Sequence, residues 1–307
     1  MLRQLKFHRG LRTSFTMCAT LFFIFSTASA FSQAGKLDYY RSLDTFRYFV
    51  FLKNKVEIQN RLPGIAEASP THYNHLLLLC QAYCLLKEYS NASQALAGAI
   101  CMGMDTSFIT YKGKSISHYS IRKGKIDSAM QEQRLFRNRN QKLIDSQFYF
   151  LANDLRLFGN GNEESGWLQY LSKYMDTSLH THKQLQAALV SFIMKNGWVG
   201  YKRTHRSELL LPTAHLDLEN LNKINSKLTE SLYRGDMLPD EFGFIAEKRF
   251  QLSKSDNSRT CKYAPAGYNC AEKWNVDIVE NRRKIGMSVF FIGNSQEVFL
   301  EDLIIAR

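Results

Sequence analysis

Residues 73–105, "YNHLLLLCQAYCLLKEYSNASQALAGAICMGMD", narrow the possible fold more than any other part of the chain. Apolar residues recur there at spacings of three and four on both sides of a short polar turn around Glu88 to Asn91. That period belongs to two amphipathic helices, not to strands. The second segment places Ala92, Leu96 and Ala99 on one face, and short side chains there let two helix axes approach closely. Upstream, Leu37, Tyr40, Leu43, Phe46, Tyr48, Phe49, Leu52 and Val56 follow the same period, which predicts one helix from Lys36 to Arg61 ended by Pro63-Gly64. The expected class is therefore mainly α.

Within the pair, Leu76, Leu79, Cys80 and Tyr83 occupy the first helix and Ala92, Leu96 and Ala99 the second. This pattern resembles a tetratricopeptide repeat, with Gly103 to Asp105 in place of the usual closing proline. A degenerate echo follows in "ISHYSIRKGKIDSAMQEQRLF", where Ala129 lies 37 residues after Ala92. One good repeat and one weak one do not make a free-standing solenoid, because a repeat buries its apolar face only against neighbours. The resemblance implies a helical region over 31–142 that packs on a second domain and offers a surface, Tyr83 included, to a protein or peptide partner.

The first twelve residues carry Arg3, Lys6, Arg9 and Arg12 with no acid, and the apolar run from Phe15 to Phe25 follows. Eleven residues fall short of the ~20 that span a bilayer, and Ala28-Ser29-Ala30 fits a signal-peptidase site. Residues 1–30 read as a secretory signal, which predicts a periplasmic or extracellular protein with no transmembrane segment after cleavage. Its removal leaves 36 basic against 28 acidic residues, a formal charge of +8 where the whole chain has +12. The densest basic interval, residues 121–142, holds seven Lys/Arg against two acids. It suits a solvated helix face or an anionic envelope surface, and without aromatic interleaving no nucleic-acid partner is expected.

Export would expose the cysteines to an oxidising compartment. Cys261 and Cys270 bracket the turn-rich "KYAPAGYN" and are expected to close a small loop. Cys80, Cys84 and Cys101 sit among leucines and alanines as small hydrophobes. His72, His75, Cys80 and Cys84 match no standard zinc spacing, so no metal and no cofactor is expected.

The second half predicts helices over Asp145–Arg156, Trp167–Met175, His182–Lys195 and Leu216–Leu232, the last entered through Pro212-Thr213. From Gly197-Trp198 through Ala214-His215, Lys248-Arg249 and Tyr263 to "IVENRRKIGM", with Arg282, Gly286 and Met287, the chain resembles a family of exported bacterial proteins of unknown function. That family shows Gly-Trp-Pro, Gln-His, Asp-Arg, Tyr-Gly-Thr-Gln and Arg-Arg-x-x-x-Gly-Leu in this order. Val199, Ala214, Lys248 and Ala264-Pro265-Ala266 depart from it, and an active site, if the family has one, has lost part of its polar set here. The resemblance implies a mostly helical C-terminal domain over 143–293 with a small disulfide-closed loop or β-hairpin, followed by a tail over 294–307.

Nucleophile elbows, phosphate-cradling glycine loops and His-Glu-x-x-His helices are all missing from the sequence. Asp145, Asp154, Glu163 and Glu164 are the carboxylates on which acid-base work in this half would draw, although such residues are usually solvated. Two functions compete. The first is an exported interaction or scaffold protein, with Tyr83, Trp198 and Tyr263 as contact residues. The second is a hydrolase or transferase in which His215 is the general base and Arg249 and Arg282 hold an anionic group. Ala214, standing where glutamine is usual, takes away the obvious partner for orienting the imidazole. His215 is accordingly expected to be a paired core residue and not an active base.

Overall fold

The computed structural model describes residues 35–68, 70–104, 123–158, 166–254, 260–265 and 276–287. The expected signal peptide over 1–30, Cys270 and the tail over 294–307 lie outside the described residues, among which every regular element is a helix. The chain is mainly α. No helix among the described residues is long and apolar enough to cross a membrane.

The first core is built by α1 (35–51), α2 (Lys55–Glu67), α3 (Tyr73–Leu85), α4 (Tyr89–Cys101) and the start of α5 (Lys123–Arg139). Leu43, Phe46 and Val50 of α1 meet Ile58 and Leu62 of α2, Leu78 and Leu79 of α3, Ala92, Leu96 and Ala99 of α4, and Ala129 of α5. The single helix expected from Lys36 to Arg61 is in fact two. Lys53 turns left-handed (φ 53), Asn54 N–H donates back to Phe49 O at 3.0 Å, and the Asn54 side chain then caps α2 by accepting from Glu57 N–H. Such a cap stabilises a helix start by about 1 kcal/mol. Pro63-Gly64 does not end the second helix, which continues to Glu67. Pro63 and Gln59 are both exposed, so the backbone bond that proline removes is lost on the solvent side, where water can replace it.

α3 and α4 close the same way: Lys87 (φ 64) and Gly103 (φ 98) are left-handed, and the amides of Glu88 and Met104 reach back to Tyr83 O and Ala99 O. These are six-to-one closures that satisfy otherwise orphaned carbonyls.

The second core follows α6 (Gln141–Phe158), α7 (Gly166–Leu171), α8 (His182–Asn196), α9 (Tyr201–Thr204), α10 (Leu210–Ala214), α11 (Leu218–Tyr233), α12 (Pro239–Ser253) and α13 (Val276–Lys284). Leu221, Ile224, Leu228 and Leu232 form one stripe on α11, and they pack with Leu185, Leu189 and Ile193 of α8 and Phe242 and Ile245 of α12. Each such side chain contributes about 1.5–3 kcal/mol through burial. Thr181 and Gln184 form a capping box that starts α8. α11 begins at Leu218, not at Leu216, because the Asp217 carboxylate accepts from Asn220 N–H at 2.9 Å. Pro212 does not lead into that helix but lies inside the separate short α10.

α6 serves both units: Phe150 enters the second core, while Ile144, Phe148, Leu151 and Ala152 make a satellite core with Leu171. The two main cores meet at α9. Tyr201 packs on His72 with ring centroids 3.9 Å apart and donates its hydroxyl to Met102 O, and His205 stacks on Phe136 at 3.9 Å and 6°.

Candidate functional site

Ala246, Arg249, Phe250 and Ser253 recur on α12 at spacings of three, one and three, which places them on one helical face. Leu218 and Asn222 share a face of α11 by the same rule. These six residues, with Lys262 and Tyr263, line a cavity of 410 Å³. Ala246 and Tyr263 are buried, Arg249 and Lys262 are half-buried, and Asn222 and Ser253 are exposed. The lining thus combines apolar surface from Leu218, Ala246, Phe250 and Tyr263 with two cations and the polar Asn222 and Ser253.

Residues 260–265 have no helix or strand of their own, and two buried charges fix them. Glu247, fully buried, accepts through Oε2 from the amides of Lys262, Tyr263 and Ala264 at 2.9, 2.6 and 3.3 Å. Its Oε1 accepts from Gln251 Nε2 at 2.6 Å. Ala264 is left-handed (φ 43), part of the local bend in which three successive amides converge on one oxygen. From the other side Arg282, on α13 and 7% exposed, donates through Nη1 to Tyr263 O at 2.9 Å and Ala264 O at 3.1 Å. Burial lowers its pKa, and Asp240 and Asp44 oppose that shift. Burying a charge is costly unless it is paired and hydrogen-bonded, and here backbone groups of one segment meet both signs.

Tyr263 thus has its backbone held by Glu247 and Arg282 and its ring in the cavity beside Arg249. Burial raises its hydroxyl pKa, Arg249 works against the rise, and Glu247 adds to it. Lys262 Nζ sits 5.6 Å from the centroid of the same ring. Neither Arg249 nor Lys262 has a carboxylate within ion-pair distance among the described residues. Glu247, the acid nearest in sequence to Arg249, is engaged by three amides. Among the described lining residues two carry positive charge and none is acidic.

Of the residues expected from sequence, Arg249, Tyr263 and Arg282 come together around this segment, and His215, Trp198 and Tyr83 do not. His215 caps the C-terminus of α10 with 35% of its side chain exposed. Its Nδ1 faces both oxygens of Asp154, at 3.0 and 2.9 Å, and that carboxylate on α6 is 1% exposed. The imidazole lies against Phe158, 5.1 Å between centroids, with no arginine among its bonded partners. Trp198 is 1% exposed and lines neither this cavity nor the groove below. Its indole N–H donates to Glu241 Oε2 at 3.0 Å and its amide to Ser231 Oγ at 3.1 Å. A Cβ on Gly200 would stand 2.2 Å from Trp198 Nε1, so the second glycine of Gly-Trp-x-Gly is a packing requirement. Tyr83, on α3, belongs to the rim of the first core.

The expected Cys261 bridge has Cys270 as its other half, outside the described residues. Cys80, Cys84 and Cys101 are free.

A second, more open groove of 620 Å³ runs along α6 and the turn after α7, lined by Asp145, Tyr149, Lys173, Tyr174 and Asp176 among others. Its carboxylates already accept from tyrosine hydroxyls: Tyr149 to Asp176 at 3.0 Å and Tyr174 to Asp145 at 3.3 Å. Among the described residues no group of three or more His, Cys, Asp or Glu side chains is placed to hold a metal ion.

Sequence reading missed Glu247, Lys262 and the pairing of Asp154 with His215. Comparison of the chain with protein-family models, curated proteins and solved structures gives no match.

Proposed function

We propose that this chain is an exported interaction protein whose C-terminal half captures an anionic group between α11, α12 and residues 260–265. The observation that carries this reading is the pair Arg249 and Lys262 on one cavity wall with no acid among its described lining residues. Half-buried cations bind an anion more strongly than surface ones, because the surrounding protein screens less than water. The likeness to the exported family supports it, since Arg249, Tyr263 and Arg282 all fall on that family's motif positions. The tetratricopeptide-like pair supports the interaction half of the reading, for Leu79, Cys80, Ala92, Leu96 and Ala99 are all buried between helices. In such a protein those helices carry the capturing unit and add a surface for a partner.

The test is thermal unfolding in acetate, phosphate or sulfate against chloride at equal ionic strength. A ligand that binds only the folded state raises its stability, so at least one anion raises the wild-type Tm and loses that effect in the Arg249→Gln, Lys262→Gln double variant. Equal shifts in both proteins, or none in either, remove the proposal.

One observation favours the enzyme reading. A buried carboxylate on Nδ1 is how a general-base histidine is held, and Asp154 supplies what Ala214 does not. His215 lines neither of the two cavities described above, and no arginine is among its bonded partners. His215→Gln should therefore lower stability by about 1–3 kcal/mol, the scale for breaking a bond to a buried charged group, and leave anion binding intact. A variant of native stability that has lost hydrolase or transferase turnover present in the wild type would reverse the order of the two readings.

A further inference from the structure

We infer that the group taken by this cavity is the free α-carboxylate of a residue with an apolar side chain. The inference rests on the proposed anion capture and adds the ligand's chemistry.

The composition of the lining carries it. Leu218, Ala246, Phe250 and Tyr263 supply apolar surface, Arg249 and Lys262 are two half-buried cations, and Asn222 and Ser253 are exposed polar groups. An inorganic anion would satisfy the cations and leave the apolar lining wet. A phosphate on a long acyl chain would need its hydrocarbon within 410 Å³ or out past exposed polar groups, and neither suits it. A carboxylate with a short apolar side chain on the adjacent carbon fits all three kinds of surface: the side chain on the apolar residues, the carboxylate between Arg249 and Lys262, and the amide of that residue toward Asn222 and Ser253. A guanidinium can donate two parallel bonds to a carboxylate, which an ammonium cannot. We assign the bidentate role to Arg249 and the point charge to Lys262. The volume lies near the lower end of the range for small-molecule pockets, as one residue requires.

Two sources share this chemistry, the C-terminal end of a peptide and a free apolar amino acid. They differ at the mouth, where a peptide continues as an amide and a free amino acid ends in an ammonium. Two positive charges on the wall disfavour that third one, so a chain end is the better fit.

Calorimetric titration decides it, with acetyl-Ala-Ala-Leu as free acid, the same peptide as C-terminal amide, free leucine, and inorganic phosphate. The free-acid peptide should bind at least tenfold more tightly than its amide; Arg249→Gln should shrink that difference, and the Arg249→Gln, Lys262→Gln double variant should erase it. Since the amide control uses wild-type protein, the result does not depend on how well a variant folds. Leucine binding as tightly as the peptide would assign the site to free amino acids and keep the carboxylate; weaker binding assigns chain ends. Equal binding of acid and amide overturns the inference. Phosphate binding that depends on Arg249, with no peptide binding, overturns it while leaving anion capture standing, and absence of all binding overturns both.

Discussion

Acid should loosen the seam between the two cores, because three histidines there are held neutral. His72 lies against Tyr201, and its Nδ1 accepts the amide of Asn74 at 3.0 Å, a role that needs an unprotonated nitrogen. Its pKa is pushed down to about 4, first by burial and then by His205 and Arg47. His205 is likewise pushed down to about 4 by burial and Arg137. His75, buried under Tyr39 and Tyr40, falls well below its ordinary value through burial, with His72, Arg47 and Lys36 adding to the shift. The folded pKa is depressed in each case, so the unfolded chain takes up the proton first as pH falls. Stability from these sites is complete above about 6.5, the unfolded value, and declines on the way down to about 4. A histidine moved from 6.5 to 4 loses about 2 kcal/mol between pH 7 and pH 5. For His72 and His205, both partly exposed, solvent screening reduces this to about 1 kcal/mol each. Buried Glu241, whose pKa is raised by burial, works in the opposite direction, so the histidine share has to be isolated. His72→Asn does that, since asparagine also caps a helix but does not titrate. Urea unfolding followed by circular dichroism at pH 7 and pH 5 should show an acid loss about 1 kcal/mol smaller in the variant than in the wild type. The same loss in both proteins would refute the assignment of the shift to His72.

Gly200→Ala should destabilise the fold by about 1–3 kcal/mol, the cost of overpacking, because its Cβ would stand 2.2 Å from the buried Trp198 indole nitrogen; an unchanged urea midpoint would contradict this. Glu247→Ala removes the acceptor shared by the amides of Lys262, Tyr263 and Ala264. It should cost about 3 kcal/mol or more, as removing one partner of a buried charged network does, and hydrogen exchange at those three amides should speed up more than exchange across α11. Mass spectrometry of the exported protein should find a chain beginning at Phe31 and, without reduction, a peptide joining Cys261 to Cys270. An intact Met1 and two freely alkylated thiols would contradict these expectations.

How much of this was legible in the sequence depends on the range of the interaction concerned. The α11 stripe Leu221, Ile224, Leu228 and Leu232 repeats within four residues, and the capping box at Thr181 and Gln184 spans three. Both can be read by spacing alone. The break after α1 was legible in principle, since Asn54 with Glu57 three residues on is a helix-start signal. A continuous apolar period across the break concealed it, and Lys53 adopts the left-handed conformation that glycine would have advertised. Pro63 misled in the opposite direction: it falls on the solvent face of α2, where losing one backbone bond is cheap.

The site itself was not legible, and Glu247 explains why. Written in a line, it is one more acid on a helix, the kind of residue that is almost always solvated. Its role depends on amides 15 to 17 residues downstream, in a segment with no periodic pattern. Arg249 could be singled out as a motif position, and so could Tyr263 and Arg282, but motif order says nothing about which of them meet. His215 shows the consequence. Asp154, the carboxylate that orients it, lies 61 residues away on α6, whereas Arg249 is closer in sequence and is not among its bonded partners. Grouping His215, Arg249 and Arg282 as one catalytic set assumed that neighbours in a motif are neighbours in space. Helix packing decides otherwise: α12 turns Arg249 toward α11 and residues 260–265, and α10 turns His215 toward α6. The same packing places Arg249 and Lys262 on one cavity with no acid among its described lining residues, and it is on that imbalance that the proposed ligand capture rests.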